Sequence, residues 1–282
     1  MGSLRGTSLR LLGVALLTAA CAAPARAKDG SNAAHGVPAE FTAAPRFAWK
    51  APFTVHVTED ATKDKNAATL SYWLDACPDA PDRIVISHRD FRFVMLGGKP
   101  ASNPELAATI AQLEPLMSAI PRFTVDRYAN VVGVEGIEQL LGRLRAAAQN
   151  SSALDGLTQA LQDPNARIAV ETGVAERWEL WVKAWLSVKP RDLDPLNIVG
   201  PHRVKITQSS HLADVPDPSG SGASITVDLL INTDTEWPDI RPWTASSMKA
   251  VHVRLNGESV TRTETHRFTF DWGAAEAPRC SP

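Results

Sequence analysis

A histidine and a carboxylate lie at a spacing suited to acid–base chemistry in a strand-like segment near the start of the chain. His88 and Asp90 are two residues apart, so an unbroken strand would place both side chains on one face as an acid–base couple. The alternation of apolar residues slips just after His88, and this slip predicts a β-bulge that would separate the pair. His252 and His266 fall in two further strand-like segments. Ordinary surface histidines are the favoured interpretation.

A short run of oxygen-bearing side chains is the second candidate for chemistry. Asn232, Asp234 and Glu236 alternate in the segment INTDTEW, so they would share one strand face and present oxygen ligands of the kind that Ca²⁺ takes. The glycine and the terminal bidentate Glu of an EF-hand loop are missing, so a solvated sheet face is the favoured interpretation. The same interpretation applies to Asp192 and Asp194 in the segment RDLDP.

The Gly- and Ser-rich segment PSGSGAS, residues 218–224, is the candidate for a nucleophile elbow. It leads into a strand, whereas a nucleophile elbow follows one, and its spacing differs from G-x-S-x-G. A turn is therefore the favoured interpretation. The sequence contains no C-x-x-C, no H-E-x-x-H and no glycine-rich phosphate loop. We therefore expect no metal, no cofactor and no catalytic residue, and an enzyme is disfavoured.

Five tryptophans are the candidates for a ligand-binding site. Trp178, Trp181 and Trp185 are spaced i, i+3 and i+7, so they share one face of the longest predicted helix. The favoured interpretation is a core seam, and the alternative is the aromatic wall of an apolar cavity, since indoles can line a ligand site and donate hydrogen bonds. Trp237 and Trp243 lie in the proline-rich segment EWPDIRPW, which predicts either a binding lip or a loop packed on the sheet.

The N-terminal segment has the features of a secretory signal peptide over residues 1–27. A positive start precedes an apolar run, residues 11–23, that is too short to span a membrane, and a closing A-R-A motif offers small residues for cleavage. The alternative is lipidation of Cys21, although Leu17 lies one position too early for a lipobox. Either outcome predicts an exported protein, periplasmic or extracellular, or tethered to a membrane through Cys21.

The chain that remains after cleavage is mildly acidic and retains two cysteines. Without the leader, 26 Lys and Arg stand against 31 Asp and Glu, a formal net charge of −5. Such a chain gains little from binding nucleic acid, so no nucleic-acid partner is expected. No second apolar run reaches membrane length, so we expect no transmembrane span. In an oxidising compartment Cys77 and Cys280 are predicted to form one disulfide, the alternative being two unpaired thiols.

The elements that must position these residues follow in the order strands, helices, strands. Strand patterns occupy residues 47–60, 66–77, 82–96, 202–215, 223–237, 249–259 and 260–272, and helical patterns lie between the third and the fourth, on either side of a short hairpin pattern over 122–134. This order predicts an α+β fold in which a curved antiparallel β-sheet, built from N- and C-terminal strands, packs against helices from the middle of the chain. We expect a flexible lead-in over 28–45 and a single domain over 46–282.

The tryptophan stripe and the absence of catalytic and metal motifs favour a non-catalytic exported protein. We expect it to bind an apolar ligand, such as a lipid, between sheet and helices. The predicted arrangement also resembles, at the level of fold alone, periplasmic half-barrel carriers of lipids and lipoproteins. Two alternatives are a structural or partner-binding protein of the cell envelope without a cavity, and a hydrolase whose catalytic residues are dispersed in the sequence.

Overall fold

The computed structural model describes residues 38–280 except 65, 118, 150–164, 187, 191–192, 194, 216–223, 256–257 and 275. Several predicted features lie outside the described residues. They are the leader with Cys21, the carboxylates Asp192 and Asp194, and most of the Gly- and Ser-rich segment, residues 218–223.

In the described part of the chain, eleven β-strands form one antiparallel sheet. The strands are β1 (Phe53–Lys63), β2 (Asn66–Ala80), β3 (Arg83–Leu96), β4 (Lys99–Pro100), β5 (Arg122–Asp126), β6 (Val131–Glu135), β7 (Ile198–Gly200), β8 (Arg203–Val215), β9 (Ser224–Glu236), β10 (Arg241–Leu255) and β11 (Glu258–Asp271). Their order across the sheet is β6-β5-β3-β2-β1-β11-β10-β9-β8-β7, with β4 paired to β3. The sheet is open, because its two edges are different strands, β6 and β7.

The first and last strands of the chain are neighbours at the centre of this sheet. Strand β1 pairs with β11 over eight residues, with Val57 opposite Phe270 and Glu59 opposite Phe268. The prediction of an antiparallel sheet that combines strands from both ends of the chain is therefore confirmed. The paired residues lie about 200 positions apart in the sequence, so the chain leaves the centre of the sheet after β1 and returns to it only with β11.

Three helices lie between β4 and β7 in the part of the chain that the structure describes. Helix α1 (Ala107–Met117) follows a 3₁₀ turn (Pro104–Leu106), α2 is Ile137–Gln149, and α3 (Ala166–Trp178) continues through a π-helical turn (Glu179–Lys183) into Ala184–Leu186. Asn103 caps the first helical segment, because its Oδ1 accepts a hydrogen bond from Glu105 N at 2.9 Å. None of the helices in the described residues is long and apolar enough to cross a membrane.

The hydrophobic core lies against one face of the sheet, which we call the inner face. It carries Tyr72, Phe268 and Phe270, each at most 2 % exposed. The apolar side of α2 completes the core from the helix side, since Leu140 and Leu144 are also at most 2 % exposed. Alternation along the strands places the intervening residues on the opposite, outer face.

A β-bulge interrupts β3 where the sequence predicts one. The register between β2 and β3 shifts as Ser71 pairs with Arg92 and Trp73 pairs with Arg89, and Asp90 has a φ of +55°. Asp90 consequently leaves the face that His88 occupies, so the candidate acid–base couple does not form. Its carboxylate contacts Arg89 and Arg279 instead.

A disulfide joins β2 to the C-terminal segment. Cys77 and Cys280 are bonded with their Cα atoms 5.5 Å apart, which confirms the predicted pair. Arg89 adds polar contacts beside it, binding Asp75 Oδ2 at 2.6 Å and Glu276 Oε1 at 3.0 Å. The bond is consistent with export to an oxidising compartment.

The described part of the predicted lead-in contains a core residue. Phe41 is fully buried, and Arg46 binds Asp239 at 2.6 Å shortly after it. Trp49 follows and donates its Nε1 hydrogen to the carbonyl of Ile240 at 2.9 Å. These contacts attach residues 41–49 to the turn between β9 and β10.

Candidate functional site

The tryptophan stripe of α3 lies in the core. Trp178, Trp181 and Trp185 are each at most 1 % exposed, and Trp178 donates its Nε1 hydrogen to the carbonyl of Ala129 at 2.8 Å. Its ring meets Phe123 edge-on at a centroid distance of 5.6 Å. This packing is what a core seam requires, and a role in lining a ligand site stays a prediction.

The second tryptophan group is divided between the core and the sheet surface. Trp237 is 1 % exposed, whereas Trp243 is half-buried beneath the guanidinium of Arg203, 5.1 Å from its ring centroid. The Asp and Arg between them do not pair with each other. Asp239 binds Arg46, and Arg241 binds Glu236 at the end of β9.

The most unusual feature of the inner face is a buried carboxylate, Glu59 on β1, which is 1 % exposed. Arg177 of α3 approaches its Oε1 through Nη2 at 3.4 Å, and His266 Nδ1 lies 3.1 Å from the same oxygen. Tyr72 donates its hydroxyl hydrogen to Oε2 at 3.3 Å. The second ring nitrogen of His266 lies 3.0 Å from Glu264 Oε1. We call Glu59, Tyr72, Arg177, Glu264 and His266 the buried charge cluster.

The cluster holds Glu59, Arg177 and His266 in their charged forms and Tyr72 in its neutral form. Burial by itself would raise the pKa of Glu59, but the charges of Arg177 and His266 lower it to about 2. Burial would lower the pKa of His266, but hydrogen bonds to Glu264 and Glu59 raise it to about 9. At neutral pH the carboxylate of Glu59 therefore faces the imidazolium of His266 and the guanidinium of Arg177. The cluster fastens α3 to the centre of the sheet.

His88 lies beside this cluster in an apolar environment. Its ring contacts Tyr72 and Phe91, with centroid distances of 5.5 and 5.9 Å. Both ring nitrogens are buried, and neither has a hydrogen-bond partner among the described residues. Burial, reinforced by the charge of Arg177, lowers the pKa of His88 to about 3. The ring is therefore neutral at physiological pH, and no carboxylate among the described residues is hydrogen-bonded to it to orient it as a general base.

A histidine, a carboxylate and a hydroxyl do meet on the outer face. His252 Nδ1 lies 2.9 Å from Thr261 Oγ1, and its Nε2 lies 3.0 Å from Asp228 Oδ2. Asp228 Oδ1 also contacts His211 Nδ1 at 2.6 Å. Sequence reasoning missed this arrangement, because the residues come from four strands and no local spacing links them.

The outer-face arrangement lacks the other parts of a hydrolytic site. The side chains of His252 and Asp228 are 39 % and 47 % exposed, so water competes for their hydrogen bonds. His252 lies on β10, a strand paired on both sides, where backbone N–H groups serve the sheet and cannot form an oxyanion hole. The hydrolase alternative therefore gains no support from this cluster.

Each of the three side chains predicted as oxygen ligands is paired with another side chain of the sheet. Asn232 accepts a hydrogen bond from Thr207 at 2.7 Å, Asp234 binds Arg203, and Glu236 binds Arg241. The three share the outer face, as the alternation predicts. Within the described ranges no group of three or more His, Cys, Asp or Glu side chains is placed to hold a metal ion.

The inner face changes character beyond the buried charge cluster, toward the ends of β8, β9 and β10. Alternation and strand pairing place a group of aliphatic side chains there. They are half-buried and lie outside the main hydrophobic core, and we call them the apolar face: Leu212, Ile225, Leu229, Val251 and Val253. The outer face of the same strands carries polar residues such as Thr226, Asp228 and His252. The apolar face is therefore a surface built for burial that the described residues cover only in part.

Comparison of the chain with protein-family models gives no match, and comparison with curated proteins gives none either.

Proposed function

We propose that this is an exported, non-catalytic protein that binds an apolar ligand, such as a lipid, on the inner face of its sheet. The observation that carries the proposal is the half-covered apolar face. A mainly polar outer face and a mainly aliphatic inner face, which Lys249 interrupts opposite Leu229, are expected where something covers the inner side. The side chains of Val251 and Val253 are aliphatic. They would contact an acyl chain without burying a hydrogen-bonding group that lacks a partner.

The half of the inner face that the helices cover is filled with packed side chains and would form the base of such a site. Trp181 and Trp185 are fully buried, and Glu59 is held to Arg177, so this half offers packed side chains and no free apolar surface. The ligand would therefore lie beyond α3, against the distal ends of β8 to β10. This placement differs from the tryptophan-lined cavity that the sequence suggests.

The Cys77–Cys280 disulfide and the signal-peptide features of residues 1–27 support export. A carrier or sensor of apolar molecules in the periplasm or outside the cell would need both a stable sheet and a protected apolar surface. The alternative, a structural or partner-binding envelope protein, is favoured by the complete packing of Trp178, Trp181 and Trp185. It differs in predicting no small-molecule ligand.

Native mass spectrometry of gently purified protein tests the proposal. We expect a bound apolar molecule, or uptake of added phosphatidylglycerol or palmitate, in the wild-type protein. Val251→Lys, which places a cation on the apolar face, should abolish binding. Ala250→Lys is the matched control, because the neighbouring residue faces outward on the same strand, and it should bind as the wild type does. Bare protein in every preparation, with no response to either lipid, would contradict the proposal.

A further inference from the structure

Strand β8 has a long edge that is unpaired in the described part of the chain. On one side β8 pairs with β9 as far as Leu212, and on the other side β7 pairs only with Arg203 and Val204. The segment Lys205–Ala213 therefore presents a row of backbone N–H and C=O groups, and a row of this kind is a template for another strand. At about 3.4 Å a residue it extends roughly 30 Å.

This edge carries one feature that usually prevents strand association, Lys205 at its start, and lacks the others over the residues that follow. The other edge strand, β6, is only five residues long and contains Gly133. The segment Ile206–Leu212, with sequence ITQSSHL, has no proline, no glycine, no lysine and no carboxylate, and no register shift interrupts its pairing with β9. Natural proteins shorten, bend or charge an edge that must remain free, so the composition of β8 indicates an edge that has a partner.

We propose that the partner is a second copy of this chain, paired antiparallel to β8 about a two-fold axis through Ser209. The position of the axis follows from the edge itself. β7 blocks β8 at Val204, and the pairing of β8 with β9 shifts after Leu212, so Ser209 is the midpoint of the free segment. An axis perpendicular to the sheet keeps both inner faces on the same side and gives the isologous contact of a C₂ dimer.

The residues that this axis brings together are compatible at each position. On the inner face Ile206 would lie opposite Leu212 of the second copy, and Gln208 opposite Ser210. On the outer face Thr207 would lie opposite His211 of the second copy, and no two like charges meet. The apolar face would then continue from one copy into the other across the paired β8 strands.

Cysteine cross-linking tests both the dimer and its register. Directly opposite residues of an antiparallel pair have Cα atoms about 4.5 to 5.5 Å apart, within the range that a disulfide spans. Under mild oxidation, Ser209→Cys should form a covalent dimer that reductant reverses. Thr207→Cys is the matched control, because the two copies of residue 207 would be offset by four residues, roughly 13 Å, which is too far for a disulfide.

The wild-type chain should also have twice the monomer mass in light scattering and in native mass spectrometry. Thr207→Cys combined with His211→Cys should restore cross-linking, since those positions face each other across the axis. Equal cross-linking of the two single variants would overturn the proposed register. A monomeric wild type whose Ser209→Cys variant is folded and keeps a free thiol would overturn the dimer. Circular dichroism and the intact Cys77–Cys280 bond establish that each variant is folded.

Discussion

Replacing Glu59 by Gln would leave two cations of the buried charge cluster without their shared carboxylate. Glu59 is 1 % exposed, so the Gln variant leaves Arg177 buried without a carboxylate partner and leaves His266 with Glu264 alone. A buried carboxyl whose pKa falls from 4.5 to about 2 contributes roughly 3 kcal/mol at neutral pH. Breaking a buried ion pair costs about 3–5 kcal/mol in other proteins. We therefore expect Glu59→Gln to lower the free energy of unfolding by about 3 kcal/mol.

Urea denaturation at pH 7 measures this loss as a lower midpoint with an unchanged slope. Glu135→Gln is the control, because the side chain of Glu135 is 59 % exposed in its ion pair with Arg122, and it should change stability by less than about 0.5 kcal/mol. Combining Glu59→Gln with Arg177→Met should recover part of the loss, since the second change removes an uncompensated charge.

The pH dependence provides an independent check of the same reasoning. The stability from Glu59 is fully present above pH 4.5 and is lost as the pH falls through about 2. The stability from His266 is fully present below pH 6.5 and is lost as the pH rises through about 9. Because Glu59 helps to raise the pKa of His266, Glu59→Gln should weaken the loss between pH 6.5 and 9. A variant within about 1 kcal/mol of the wild type, with the same alkaline profile, would refute the argument.

Three further changes follow from the structure. His88→Phe should reduce the loss of stability between pH 6.5 and 4 by about 3 kcal/mol, because an unfolded His protonates there while buried His88 stays neutral to about pH 3; parallel acid denaturation curves for the two proteins would contradict this. Cys280→Ser should cost roughly 3–5 kcal/mol by urea denaturation, since the bond closes a loop of 203 residues, and a cost below about 1 kcal/mol would argue against a structural role. Trp178→Phe should cost about 1–3 kcal/mol in thermal or urea unfolding, because it leaves the buried carbonyl of Ala129 without its donor; an unchanged midpoint would show that this bond contributes nothing.

Several features of the fold could be predicted from the sequence because their signals are local. The slip in alternation after His88 predicts the bulge at Asp90, and the N-cap at Asn103 is found where Pro and Glu follow it. Cys77 and Cys280 could be paired by counting once the leader is set aside. The bulge and the N-cap depend on neighbouring residues, and the cysteine pair depends on only two cysteines remaining after the leader.

The buried charge cluster could not be predicted, because its members are 207 residues apart in the chain. Glu59 and His266 each belong to an ordinary strand pattern, and nothing in either pattern shows that β1 and β11 are neighbours. The same reason explains why the meeting of His252, Asp228 and Thr261 was missed. Strand order, and with it every cross-strand contact, is decided by global packing.

The sequence by itself determined the strand and helix types and the alternation of the strands. These depend on side-chain periodicity and backbone preferences, which act within a few residues. Only the tertiary structure decided that the tryptophans of α3 pack in the core, that Arg177 reaches Glu59, and that β8 lies near the edge of the sheet. Those outcomes depend on which inner-face side chains the helices cover, and coverage is a property of the assembled sheet.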